Sequence, residues 1–266
     1  MPATIYSANE LCSYDEAVKR HAAGATDNPA ANPVRLGVIV PSVNTVIEPW
    51  YSAVVSAGVS IHFTRMLLAA QVTPETLHKM ESEDGMAAAE RIAGCKPHVV
   101  AYCCTASSVV QGLEYDAALQ RKLQHVTGCK TFTAVRAIVD ALHTLKAHRI
   151  SIASPYSDTI DEAERQFFEK AGFEVVGTAN LRITDGFALA SPSPREIYEL
   201  SRKAWRKEAD ALVISCLNMN SQTVVELLES AIKRPVVTST TATLWKMLRL
   251  AGVEGKIPDG GCLFGN

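Results

Sequence analysis

Residues 35–48 read RLGVIVPSVNTVIE and residues 149–162 read RISIASPYSDTIDE, and the likeness between them decides the fold. Each begins with an apolar run, passes through a proline and a short polar loop with a shared threonine, and ends in a glutamate-bearing helix start. The offset is 114 residues, from Arg35 to Arg149. Within two residues of that offset, HVVAYCCTASS (98–108) falls on ADALVISCLNMNS (209–221) and sets Cys104 against Cys216. A weaker echo relates FTAVRAIVDALHTL (132–145) to STTATLWKMLRLAG (239–252). Three matches in one order mean that the chain carries two copies of one design.

Outward from these pairs, short apolar runs alternate with stretches of helical period. The runs are RLGVIV (35–40), VSIHF (59–63), HVVAY (98–102), HRISIA (148–153), FEVVG (173–177) and ALVIS (211–215). Between them lie segments such as PETLHKMESEDGMAAAERIAG and SDTIDEAERQFFEKAG. Strands separated by helices make βαβ units, and these make parallel sheets. The expected fold is α/β: two pseudo-symmetric Rossmann-like halves with parallel sheets and the active site in the cleft between them. Residues 34–145 with 239–266 form the first half of this expectation and 146–238 the second. Residues 1–33, ending in the turn-rich GATDNPAANP, read as an N-terminal extension.

The charges nearly cancel, 26 Lys and Arg against 28 Asp and Glu for a formal net of −2, with no basic stripe or acidic tail. Neither nucleic acid nor a membrane is therefore an expected partner; a small carboxylate is, and a second copy of the chain is the other partner the sequence allows. The N-terminus lacks a basic segment followed by an apolar run, and no eighteen consecutive apolar residues occur, so the expected location is cytoplasmic. Seven cysteines without a C-x-x-C pair argue against a disulfide framework and a structural zinc site. The seven histidines have no metal spacing, and the glycine-rich phosphate loops are missing, so no metal and no cofactor are expected. The Glu-rich run in EDGMAAAERIAG reads as a solvated helix face.

Chemistry is expected at the strand ends. Cys104 and Cys216 each follow an apolar strand and precede a polar, helix-initiating segment. Ligands bind at the carboxyl ends of parallel strands, where the following helix offers unpaired N–H groups. A lone strand-end cysteine is more often a buried structural thiol; a symmetric pair reverses that weighting. Asn44 and Tyr156, at equivalent ends of β-runs in the two halves, fit the same geometry. Asn can donate to a carboxylate and the Tyr hydroxyl can stabilise an oxyanion, although Asn44 could equally be a cap and Tyr156 a rim aromatic. Ser42 and Thr45 read first as caps.

With these residues in view, the sequence resembles the Asp/Glu racemase superfamily and, within it, the maleate cis–trans isomerase and arylmalonate decarboxylase branch. The resemblance runs from about Val34 to Gly252 and rests on PSVNTVIE, YCCTASS, SPYSDTIDEAE, SCLNMNS and PVVTSTTATLWKMLRLAG. In that superfamily the racemases and maleate isomerases keep both cysteines, whereas the arylmalonate decarboxylases have glycine in place of the first. Both are present here, and Cys216-Leu-Asn-Met-Asn-Ser is similar to the C-x-Q-M-x-S of maleate isomerases.

The resemblance implies that Cys104, as thiolate, adds to the double bond of a small unsaturated dicarboxylate. The bond then rotates and elimination releases the trans isomer. Cys216 serves as the acid, while Asn44, Tyr156, Thr105, Leu217 and Ser42 hold the substrate. Alternative readings are a racemase of the amino-acid or hydantoin type, an arylmalonate-type decarboxylase, and a non-catalytic carboxylate-binding protein. Two stretches depart from the family pattern: Asp185-Gly186-Phe187 stands where a D-N pair is usual, and Ser239-Thr240-Thr241 where S-N-Q is usual. Both are expected to adapt the pocket to a different or larger substrate.

Overall fold

The computed structural model describes residues 33–265, so the extension expected over 1–33 lies, but for its last residue, outside the described residues. Two four-stranded sheets, parallel throughout, carry the chain. β1 (Val34–Pro41), β2 (Val59–Met66), β3 (Val99–Tyr102) and β4 (Lys130–Thr133) lie in the order β2-β1-β3-β4. β5 (Arg149–Ser154), β6 (Glu174–Asn180), β7 (Ala211–Ile214) and β8 (Val236–Thr238) lie in the order β6-β5-β7-β8. The two orders are one topology repeated, which is the duplication read from residues 35–48 and 149–162.

Each order reverses direction at its second strand. The crossovers from β1 and β3 leave on opposite sides, and so do those from β5 and β7, which opens a crevice beyond the carboxyl ends of the central strands. Register fixes what lies there. Ile39 pairs with Tyr102, so Pro41 to Asn44 and Cys103-Cys104 leave the first sheet side by side. Ala153 pairs with Ile214, so Pro155-Tyr156 and Ser215-Cys216 leave the second in the same way.

Helices cover the sheets. They are α1 (Ile47–Val54), α2 (Pro74–Met80), α3 (Met86–Ala93), α4 (Thr105–Gln111), α5 (Leu113–Thr127), α6 (Ala134–Thr144), α7 (Asp158–Lys170), α8 (Pro194–Ala204), α9 (Val225–Ile232) and α10 (Ser239–Leu250). Strand residues such as Leu36, Val38, Ile152 and Val213 are fully buried beneath them. The covering is close enough to exclude a side chain at Gly37, where a Cβ would lie 2.9 Å from Ile92 and from Val100.

α6 and α10 pack on each other and join the two halves. Each starts from a threonine cap: the Thr133 hydroxyl accepts the Arg136 N–H at 3.3 Å and the Thr238 hydroxyl accepts the Thr241 N–H at 2.9 Å. The caps place Thr133 opposite Thr238, so the third sequence echo is real but two residues out of register. β4 and β8, four and three residues long, are too short to rise above the helical pattern around them and were not expected.

The helical stretch 74–94 holds a further difference. Between α2 and α3 the chain makes a π turn, Glu81–Gly85; in the run expected to be solvated Glu83, Glu90 and Arg91 are exposed, while Asp84 and, just before the run, Glu81 are engaged. Asp84 accepts the Leu67 N–H at 2.9 Å and pairs with Arg91. Glu81 is buried and accepts from Ser107, Gln111 and Tyr115. The extra residue of a π turn re-aims a side chain, and such turns gather at functional sites.

Candidate active site

The crevice at the two switch points is a pocket of about 370 Å³ out to its mouth. Cys104, Cys216, Asn44, Thr105, Tyr156 and Leu217 all line it. Six of the seven site residues expected from sequence are thus brought together; Ser42 is not in the wall. Its hydroxyl accepts the Leu68 N–H at 3.1 Å and holds the loop after β2, which is the capping role.

Backbone geometry aims the thiols. Cys104 sits in extended conformation directly before α4, whose first turn has no side-chain cap. Cys216 has φ of +84°, a region that non-glycine residues avoid and that is held mostly where function requires it. Asn44 takes the capping role and also lines the pocket. Its Oδ1 accepts the N–H groups of Val46 and Ile47 at 3.1 and 3.2 Å, leaving its NH2 as the group it can offer a ligand. The Thr105 hydroxyl is committed, donating to Ser239 at 3.0 Å, so the first-turn amides of α4 are what this segment presents to the pocket.

Burial pushes the Cys104 thiol up to about 12, opposed by the N–H of Ser107 and reinforced by charge on Cys216 and Glu81. Burial likewise pushes Cys216 up to about 12, opposed by the Asn218 N–H and the Tyr156 hydroxyl and reinforced by Glu164. Tyr156 itself is held well above the usual phenol value, by burial first and then by charge on Cys216. Since charge on Cys216 disfavours charge on Cys104, the pair favours losing one proton at a time. One thiolate and one thiol is the working combination for a base or nucleophile facing an acid.

The roof comes from both halves. The loop after β2 pairs with the loop after β6: Val72 N–H donates to the Thr184 carbonyl and Gly186 N–H to the Ala70 carbonyl, each at 2.8 Å. Asn218, two residues beyond Cys216, clasps this roof to the first half. Its Oδ1 accepts the Thr45 N–H at 3.0 Å, and its amide donates to the carbonyls of Val43 at 3.3 Å and Gly186 at 2.9 Å. Leu68, Val72, Leu77 and Leu189 make an apolar wall beneath.

The two departures from the family pattern do not line the pocket. Asp185 caps the turn at Ala188, Phe187 is 65% exposed, and Leu189 is the residue of that loop that reaches inside. Ser239 stands behind Thr105, while Thr241 closes the capping box of α10. Sequence reading also missed Asn218 as a clasp, Cys103 in the wall, and Glu81 behind Cys104. For Glu81 the signal was available: an acid that recurs with Leu77 and Met80 on the buried side of a helix.

Among the described residues no helix is long and apolar enough to cross a membrane, and no group of His, Cys, Asp and Glu is arranged to hold a metal ion.

A duplicated α/β fold that brings Cys104 at the end of β3 and Cys216 at the end of β7 to one shared pocket defines an enzyme class that works through a facing cysteine pair. A protein-family model described as arylmalonate decarboxylase matches residues 36–264. Maleate isomerase of Pseudomonas putida is 32% identical over 242 residues, which cover 86% of this chain and 96% of that one. The crystal structure of the maleate isomerase Iso from Pseudomonas putida S16 superposes with a TM-score of 0.82 at 27% identity, covering 87% of this chain and 98% of that chain. Nocardia farcinica maleate cis–trans isomerase, solved as a cysteine-to-serine mutant with a covalently bound succinylcysteine intermediate, superposes with a TM-score of 0.81 at 26% identity, over 86% and 97% of the two chains. The chain belongs to the arylmalonate decarboxylase family, and within it resembles the maleate isomerases, as YCCTASS and SCLNMNS imply.

Proposed function

We infer that this protein is a cis–trans isomerase acting on maleate or a close cis-dicarboxylate. The observation that carries this reading is the presence of two thiols, Cys104 and Cys216, in one pocket. A decarboxylation needs one proton donor, whereas addition and elimination across a double bond need a nucleophile and a separate acid.

The Cys104 thiolate, the minor form near neutral pH because burial pushes the thiol up to about 12, attacks one alkene carbon, and the electron pair of the double bond moves to the neighbouring carbon, stabilised by its carboxylate. Cys216 donates its proton there and becomes the thiolate, so that the pair has exchanged charge. The carbon–carbon bond of the adduct is now single and rotates. The Cys216 thiolate then takes a proton from the same carbon, the carbon–sulfur bond breaks, and fumarate leaves with Cys104 again a thiolate. Asn44 and the amides after each cysteine hold the two carboxylates, and the Tyr156 hydroxyl stabilises sulfur charge on Cys216. The cysteine chemistry depends on reduced thiols, and we place the activity in the cytoplasm.

A second reading is decarboxylation of an arylmalonate-like acid, favoured by the apolar wall of Leu68, Val72, Leu77 and Leu189, which suits a hydrophobic substituent. Incubation with maleate, followed by proton NMR, separates the two. The expected result is conversion to fumarate. Unchanged maleate, with loss of carbon dioxide from phenylmalonate, would establish the decarboxylase instead.

A further inference from the structure

The buried face of α7 is Ile160, Asp161, Glu164, Phe167 and Phe168. Asp161 accepts the Ser154 hydroxyl at 2.8 Å. Glu164 is fully buried, and neither of its carboxyl oxygens has a hydrogen-bond partner. The polar group it faces is the Ser215 hydroxyl, also buried and without a partner, in the residue that precedes Cys216. An ionised carboxylate in such a place has no charged partner and only the Ser215 hydroxyl beside it to offset its burial, so the neutral acid is the state the packing accepts.

We propose that Glu164 works as a neutral carboxylic acid behind Cys216, a positioning residue that keeps negative charge away from that thiol and from Tyr156 while the reaction runs. Burial pushes Glu164 up to about 8, opposed by the Ser215 hydroxyl and helped by charge on Asp161. The groups it faces are few. Asp161 lies on its own helix, Tyr156 on the loop before it, and Ser215 and Cys216 at the end of β7. α4, packed against α7, carries no charged side chain, and the one ionisable residue of β6, Glu174, is exposed at the strand's start.

Chemically, the proposal rests on the isomerase reading, in which Cys216 must carry a negative charge between its two proton transfers. Ionised Glu164 makes that charge harder to bear, since its charge raises both Cys216 and Tyr156. Ionisation of Glu164 thus slows turnover relative to a neutral side chain there, although the group never touches substrate.

The test is the pH profile of kcat for maleate isomerisation in the wild type and in Glu164→Gln, whose amide stays neutral. The ratio of wild-type kcat to that of Glu164→Gln should fall about tenfold between pH 7 and pH 9, as the neutral acid is titrated away, whatever slope the thiols impose on both profiles. At pH 7 the two should turn over alike, since both side chains are neutral there. An infrared titration of the wild type, independent of activity and of how the variant folds, reads the acid directly: its protonated C=O band should persist at pH 7 and vanish with a midpoint near 8. A ratio that stays constant from pH 7 to pH 9, or no such band in the wild type at pH 7, would overturn the proposal. No turnover of maleate by the wild type at any pH would instead overturn the isomerase reading.

Discussion

Cys216 concentrates the residue-scale argument. Its φ of +84° costs about 1–3 kcal/mol for a side chain with a Cβ, and the chain bears it because the thiol must face Cys104. Replacing it separates strain from chemistry. Cys216→Ala and Cys216→Gly should both abolish turnover, but the glycine variant should be the more stable by about 1 kcal/mol in urea unfolding, contrary to the usual order. Equal stabilities, or alanine ahead, would mean that the backbone there is not strained. The identity of Cys216 could be read from its sequence, because an apolar strand led into it and Cys104 stood in the matching place. Its strained backbone could not, since φ is imposed by tertiary packing and has no signature in the letters SCLNMNS. Asn44 was legible to the same half-measure: its residue type suggested a cap or a ligand, and the structure makes its oxygen the cap.

The element scale is governed by strand ends and the loops they release. Six strands were legible as short runs rich in β-branched and aliphatic residues: β1, β3, β5 and β7 are buried over most of their length, and the edge strands β2 and β6 are half-buried. β4 and β8 escaped because LysThrPheThr and ValValThr carry too few such residues, and α10 begins directly after β8. The loops that roof the pocket were not legible. Asp185 to Phe187 looked like a substrate-shaping segment, yet its backbone roofs the pocket while Phe187 faces out. What holds that roof is Asn218, whose partners lie 32 to 175 residues away in sequence. Asn218→Ala removes three hydrogen bonds and leaves buried groups unpaired, for an expected loss of about 1–3 kcal/mol by urea unfolding. It should also raise KM more than it lowers kcat, because the clasp shapes the pocket without touching the reacting carbons; a kcat loss with unchanged KM would contradict this role.

At the scale of the whole molecule, duplication supplies the mechanism's symmetry and local environment breaks it. Two sheets of one topology bring two thiols to one crevice, and each thiol has a buried glutamate behind it. Glu81 is met by three donors, whereas Glu164 has only the Ser215 hydroxyl beside it, with no hydrogen bond of good geometry. Equivalent positions can thereby take unequal roles, one thiol adding to carbon and the other managing a proton. The central claim is that division of labour, and it is tested most directly by mass spectrometry of Cys216→Ser incubated with maleate. Without its proton acceptor for elimination, the enzyme should accumulate one succinyl group on the peptide that carries Cys104, assigned by fragmentation to Cys104 over Cys103. A succinyl group on Cys103, or a variant that still turns over with no adduct formed, would contradict the account.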